Sequence, residues 1–264
     1  MQKVFFMAGL PRSGGTLISS ILNQNPDIYS SANSVLANTL GSVYNQYSSN
    51  ENLDVDQREN IYSVLDGIIP LFYECRKERY IIDKNFFWLE RIPWSILEKH
   101  LKNEIRVICP VRNIMHMIAS WNRMCEEDAE NRHDKDMVKV DRSNRSMPDK
   151  RADFFMNGNR VFEKIDGINV ALHNVPENIL LVDYDKLIED PKDTINTICG
   201  FLGIPEYNHN FTKLSTPHQY NDYWGVKNQH VVKDSIDRQN YNLEEIFSKE
   251  TIEKYSNLEF WKHH

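Results

Sequence analysis

No stretch of this chain approaches the roughly 20 consecutive apolar residues that a membrane-crossing helix requires. No cleavable leader is expected either. Residues 1–7 are too short for the apolar core of a signal peptide and run straight into a glycine-bearing loop, so a cytoplasmic protein is expected. Cysteine is scarce. Cys75, Cys109, Cys125 and Cys199 stand far apart, which excludes a disulfide framework or a zinc site built on paired spacing. Cys109 and Cys199 fall inside apolar runs and are expected to pack as small hydrophobes. A basic excess is absent as well. Lys and Arg number 31 against 38 Asp and Glu, and the net charge of −7 argues against bulk attraction to nucleic acid or an anionic membrane. An anionic small molecule remains possible, because a phosphate site needs a few placed donors rather than a basic surface. The chain shows no internal repeat and no low-complexity tract. The terminal His263-His264 pair reads as a frayed end or a tag remnant.

What is present is ordinary globular material, 41% hydrophobic and 26% charged, in a chain of 264 residues that suits one large domain. Residues 4–8 read as a buried strand and 16–23 as the helix after it, broken by Asn25-Pro26-Asp27. Polar helical segments follow at 33–48 and 55–77. Short strands are expected at 80–82, 105–111 and 179–182, with helices at 93–102, 114–126 (capped by Asn113) and 192–202, the last ending at Gly203. Strands alternating with helices predict an α/β fold, a three-layer parallel sheet with helices on both faces. Two stretches break the rhythm. Residues 123–152 carry dense charge of both signs with little periodicity, and 205–242 hold Pro205, Pro217, Gly225 and several aromatics without a clear element. Both are expected to be lid or substrate-binding segments of a single domain spanning 1–264.

The loop Gly9-Leu10-Pro11-Arg12-Ser13-Gly14-Gly15-Thr16 lies between the first strand and the first helix. In that context glycines let backbone N–H groups close around an anion, aided by the positive end of the helix. The frame matches the nucleotide-triphosphate pattern G-x-x-x-x-G-K-[ST], except that Gly15 stands in place of the lysine. Arg12 remains as a planar fork suited to phosphate or sulfate oxygens.

Pro11-Arg12-Ser13-Gly14-Gly15-Thr16-Leu17 resembles the 5′-phosphosulfate loop of the sulfotransferases that use 3′-phosphoadenosine-5′-phosphosulfate (PAPS). Its arginine form is similar to that of the tyrosylprotein sulfotransferases and their bacterial relatives. The same family binds the donor's 3′-phosphate with an arginine at the end of a central strand and a serine on the following helix. Arg112 and Ser120 stand at that family spacing of eight residues. Arg112 leaves a strand at the edge where open α/β sheets bind ligands, beside a helix N-terminus that favours negative charge. Asp83-Lys84-Asn85 resembles the family's strand-end lysine. The run from Leu181 through Tyr184 to Asp190-Pro191, followed by Phe201-Leu202-Gly203-Ile204, resembles its Y-E-x-L-x-x-D-P and F-L-G signatures. Residues 225–233 correspond to the segment that closes over the donor.

The resemblance implies a P-loop-like core, PAPS as donor, 3′,5′-bisphosphoadenosine (PAP) as product and no metal requirement. It implies donor contacts from residues 11–17, Arg112 and Ser120, with Tyr184 near the adenine, and transition-state roles for Arg12 and Lys84. The general base is not assigned. Tyrosylprotein sulfotransferases carry a glutamate where this chain has Tyr29-Ser30-Ser31-Ala32-Asn33-Ser34, and the alternatives are Asp83, His116, His218 and His230. The acceptor is an unidentified small molecule, sugar or peptide. Trp121, Tyr220, Tyr223 and Trp224 could stack on it or form the core of a closed lid. Two rivals stay open. One is a kinase or NTPase with Asp183 holding Mg²⁺; the other is an inactive relative that only binds nucleotide.

Overall fold

The computed structural model describes residues 2–50, 52, 54–101, 104–158, 161–216 and 225–263. Strand β1 (Lys3–Met7) leads through the glycine loop into helix α1 (Gly15–Leu22), followed by the short strand β2 (Ile28–Ser30). Helices α2 (Leu36–Ser48) and α3 (Val55–Phe72) precede β3 (Tyr80–Lys84), and α4 (Arg91–His100) precedes β4 (Val107–Val111). Helices α5 (Ile114–Glu127), α6 (Arg132–Val140), α7 (Met147–Asp153) and α8 (Val161–Asn174) lie before β5 (Ile179–Asp183). Helices α9 (Tyr184–Glu189), α10 (Pro191–Leu202), α11 (Leu243–Ile246) and α12 (Lys249–Tyr255) complete the order.

The five strands form one all-parallel sheet in the order β2-β3-β1-β4-β5. Period-two alternation along the strands divides the core into two layers. Val4, Phe6 and Ala8 face α2–α5 and α8, while Phe5 and Met7 face α1, α9 and α10. Both sheet faces are therefore covered, as a fully parallel sheet requires. Among the described residues no helix is long and apolar enough to cross a membrane. The cysteines are free, and Cys109, Cys125 and Cys199 are buried as small apolar groups.

Residues 123–152 depart from the sequence expectation. They complete α5 and build α6 and most of α7 rather than an irregular segment. Their apolar stripe is thin, with Met137 the buried residue of α6, so there is little periodicity to read. Caps and charge hold them instead. Asn131 accepts the N–H of Asp134 at 2.8 Å, Ser146 that of Asp149 at 3.2 Å, and Arg151 pairs with Asp134 at 2.7 Å. Within 205–242 the described residues make turns and no regular element. Strand β2 is three residues long at the sheet edge and has no sequence signature of its own.

Helix α10 ends as its sequence suggests. Gly203 adopts φ 64°, and the N–H of Ile204 returns to the carbonyl of Cys199 at 2.9 Å. Gly203→Ala should therefore cost about 1–2 kcal/mol in denaturant unfolding. Gly41→Ala, in the interior of α2 with open space around its added methyl, should instead gain roughly 0.5–1 kcal/mol.

Candidate functional site

The strand order places the carboxyl ends of β3, β1 and β4 side by side, with the connections of β1 and β4 leaving toward opposite sides of the sheet. Open α/β sheets bind ligands at such a switch point. A cleft of about 330 Å³ opens there, lined by residues 9–17, Lys84, Arg112, Ser120, Tyr184 and parts of 228–241.

The glycine loop is anchored to β4. The N–H of Leu10 bonds the carbonyl of Pro110 at 2.9 Å, and a methyl on Gly9 would strike that carbonyl oxygen at 2.5 Å. The Ser13 hydroxyl donates to the carbonyls of Leu10 and Pro110, so this side chain builds the loop and leaves anion contact to the backbone. Arg12 (φ 64°) and Gly14 (φ 91°) are both left-handed, which curls the chain tightly into α1. That helix begins without a side-chain cap, so its first N–H groups are the ones an anion would satisfy.

Gly15 is where a triphosphate-binding loop would carry its lysine. A Cβ added there would meet Lys84 Cε at 2.9 Å. Lys84 comes in from the end of β3, and its Nζ donates to the Thr16 hydroxyl at 3.1 Å. The missing ammonium is thus supplied from a neighbouring strand. Burial, and then the Arg12 guanidinium, pull the Lys84 amine down to about 7.

Arg12 and Arg112 face the same cleft. Arg12 Nε donates to Ser120 Oγ at 3.3 Å and Nη1 to the carbonyl of Gln229 at 3.2 Å. Arg112 Nη1 donates to the carbonyl of Arg12 at 3.2 Å, and its guanidinium lies 3.9 Å from the centre of the Tyr184 ring. Arg12 is held below the usual arginine range by burial; Arg112 and Arg123 push the same way, while Tyr241 opposes them. Among the described residues nothing accepts from the buried Arg112 Nε. Cations crowded in this way suit a multiply charged anion. One expectation needs correcting. The N-terminus of α5 is already taken, because Ile114 N–H bonds the Glu259 carboxylate at 2.8 Å and His116 N–H bonds Asn113 at 3.0 Å. An anion beside Arg112 would therefore meet side chains rather than the Ile114 and His116 N–H groups of that helix end.

The candidates for proton acceptor separate clearly. Asp83 points away from the cleft, where Trp88 Nε1 donates to it at 2.7 Å and the Tyr73 hydroxyl also bonds it; burial raises its carboxyl above the usual range. His116 lies beside Tyr241, its ring 6.2 Å away, outside the cleft lining. His230 lines the cleft. His218 lies outside the described residues, as do Tyr220, Tyr223 and Trp224. Trp121 is core, packed on His133 and Phe155 at 4.6 and 4.8 Å. Asp183 caps α9 through one oxygen, Oδ1, which accepts the N–H groups of Asp185 (2.7 Å) and Lys186 (3.4 Å), and the residue lies outside the cleft lining, away from where a kinase reading would need it to hold Mg²⁺.

Sequence reasoning missed Arg123, Gln229 and Tyr241, all in the cleft lining. Arg123 was legible from spacing, one turn beyond Ser120 on the same face of α5. Gln229 falls within residues 225–233, which the family resemblance assigns to the segment closing over the donor, while Tyr241 belongs to a stretch without periodicity and carries no residue-level signal.

The Lys84 amine should titrate in the free protein with a midpoint near 7, being neutral above it and charged below. Lysine side-chain NMR, assigned through Lys84→Met, measures this; a midpoint at the ordinary lysine value would contradict the burial argument.

The sulfotransferase domain model matches residues 2–260. The fold is similar to that of the sulfotransferase domain from the curacin biosynthetic pathway (TM-score 0.57, 18% identity, 100% of this chain and 98% of that one). It is also similar to the sulfotransferase domain of the Synechococcus PCC 7002 olefin synthase (TM-score 0.53, 19% identity, 89% and 85% covered). A third similar structure is mouse sulfotransferase SULT7A1 complexed with PAP (TM-score 0.55, 13% identity, 100% and 84% covered). No curated protein sequence matches this chain at a significant level. With a family model matched over nearly its whole length, the chain belongs to the sulfotransferase domain family.

Proposed function

We propose that the cleft binds PAPS and moves its sulfuryl group to a hydroxyl or amine acceptor, releasing PAP. The observation that carries this reading is the convergence of Arg12, Lys84 and Arg112 on one cleft beside an uncapped helix N-terminus. The curled loop from Ser13 to Thr16 holds the 5′-phosphate through backbone N–H groups. Arg112 and Ser120 hold the 3′-phosphate. Sulfuryl transfer asks for in-line placement and neutralisation of spreading negative charge, as phosphoryl transfer does. Arg12 and Lys84 supply that neutralisation at the sulfuryl group and the bridging oxygen. Donor binding surrounds Lys84 with negative charge and so restores its ammonium form. The described residues 228–241, which line the cleft opposite the loop, act as the lid over the donor. His230 is the described base candidate with access to the cleft, and it takes the acceptor's proton in this reading.

PAP should bind by calorimetry without Mg²⁺. Arg112→Ala should weaken it roughly 10- to 150-fold, the worth of about 1.5–3 kcal/mol for a charged hydrogen bond. Unchanged affinity in that variant would remove the 3′-phosphate assignment. Turnover is read by mass spectrometry as gain of one sulfuryl group across peptide, sugar and phenol pools. His230→Gln should lower kcat by roughly 100-fold or more while leaving PAP affinity intact; an unaltered kcat would reassign the base.

A further inference from the structure

Arg112 is held in an unusual way. Its side chain is 5% exposed, yet among the described residues no carboxylate lies within ion-pair distance of it. One guanidinium nitrogen bonds the Arg12 carbonyl at 3.2 Å, and Nε has no acceptor. What remains to fix the plane of the fork is the face of Tyr184, 3.9 Å below it. A flexible arginine stem would otherwise lose part of its rotamer freedom only on meeting the ligand, which weakens binding.

Tyr184 is itself placed rigidly. It opens α9 directly after β5, and the Asp183 carboxylate caps that turn. The other edge of its ring lies against the phosphate loop, where a methyl on Gly14 would come within 2.9 Å of Cδ2. The same ring therefore touches both anion pockets. It braces the loop that would carry the 5′ end, and its face lies under the guanidinium of the arginine that would meet the 3′ end.

We propose that Tyr184 is a positioning residue that gives the site its preference for a 3′-phosphate, acting through the stack of its ring on the Arg112 guanidinium. The aromatic face does this, and the hydroxyl is dispensable. The proposal rests on the reading that the cleft binds PAPS and PAP. It differs from the role the family resemblance implies, in which this tyrosine serves the adenine. The two roles predict different losses. A residue that orients Arg112 weakens ligands carrying a 3′-phosphate more than those without one, whereas a residue that contacts the base weakens every adenosine nucleotide alike.

The test is calorimetric binding of PAP and of AMP, which lacks the 3′-phosphate, to the wild-type chain and to Tyr184→Phe, Tyr184→Leu and Arg112→Lys. Tyr184→Phe should keep the wild-type ratio of the two affinities. Tyr184→Leu should weaken PAP roughly threefold to thirtyfold more than AMP, the range from an exposed to a desolvated cation–π contact; AMP shares only the smaller loss from the loosened 5′ loop. Arg112→Lys keeps the charge but loses the planar stack, so it should lower the same ratio without requiring Tyr184 to be altered. Equal losses of PAP and AMP in Tyr184→Leu would overturn the proposal in favour of a base contact. If Tyr184→Leu does not fold, a wild-type ratio in Arg112→Lys overturns it instead. Equal losses in Tyr184→Leu, with a wild type that prefers PAP, overturn this inference alone; a wild-type chain that binds AMP without preferring PAP overturns the 3′-phosphate assignment as well, and one that binds neither nucleotide overturns the donor reading.

Discussion

Like charges at close range organise this molecule. Arg12, Lys84 and Arg112 sit at the carboxyl edge of one parallel sheet, and the Lys84 amine is pulled well below its ordinary value by burial and by the neighbouring guanidinium. Such an arrangement costs stability in an empty site and is relieved when an anion enters. The fold bears the cost because each cation is held by something other than a carboxylate. Lys84 has the Thr16 hydroxyl, Arg12 has Ser120 and the Gln229 carbonyl, and Arg112 has a backbone oxygen and an aromatic face. Neutral partners leave the positive charge available to a ligand. This explains how a chain of net charge −7 can present a cationic cleft.

The exchange between Gly15 and Lys84 shows how one function can be redistributed over a fold. In the triphosphate pattern the lysine sits within the loop. Here the loop position is glycine, and the room above it is filled by a lysine that arrives from β3, with Cε 2.9 Å from where a Cβ would stand. The contact is steric, so Gly15 cannot gain a side chain unless Lys84 moves. The β1–β3 pairing sets Met7 opposite Lys84 and so fixes where that lysine emerges relative to the loop.

Lys84 also depends on its neighbour in sequence. Side chains alternate along β3, so Lys84 turns into the cleft while Asp83 turns into the opposite core layer. There Trp88 and Tyr73 saturate its oxygens, and the Lys84 backbone N–H is bound by the Ser31 hydroxyl at 2.8 Å. The serine-rich turn after β2, which lacks the glutamate of the tyrosylprotein relatives, thus has a structural use. It carries the hydroxyl that seats the end of the strand bearing Lys84.

Local chemistry was readable from the chain alone. The apolar runs located β1, β3, β4 and β5, Gly203 marked the end of α10, and the glycines from Gly9 to Gly15 marked a tight strand-to-helix loop, because backbone conformation there depends on residue type at adjacent positions. Other features depended on distant partners. α6 and α7 are held by caps and the Arg151–Asp134 pair rather than by an apolar stripe, so charge density alone suggested a loop. Asp83 looked like a candidate base until the pleat of β3 turned it inward. The N-terminus of α5 looked open to phosphate until Glu259, far along the chain, was found bonded to it. Spacing could name Arg12, Lys84 and Arg112, but only the parallel strand order brings their strand ends to one edge. That order is set by packing two apolar faces at once, a property of the folded chain and of no single segment.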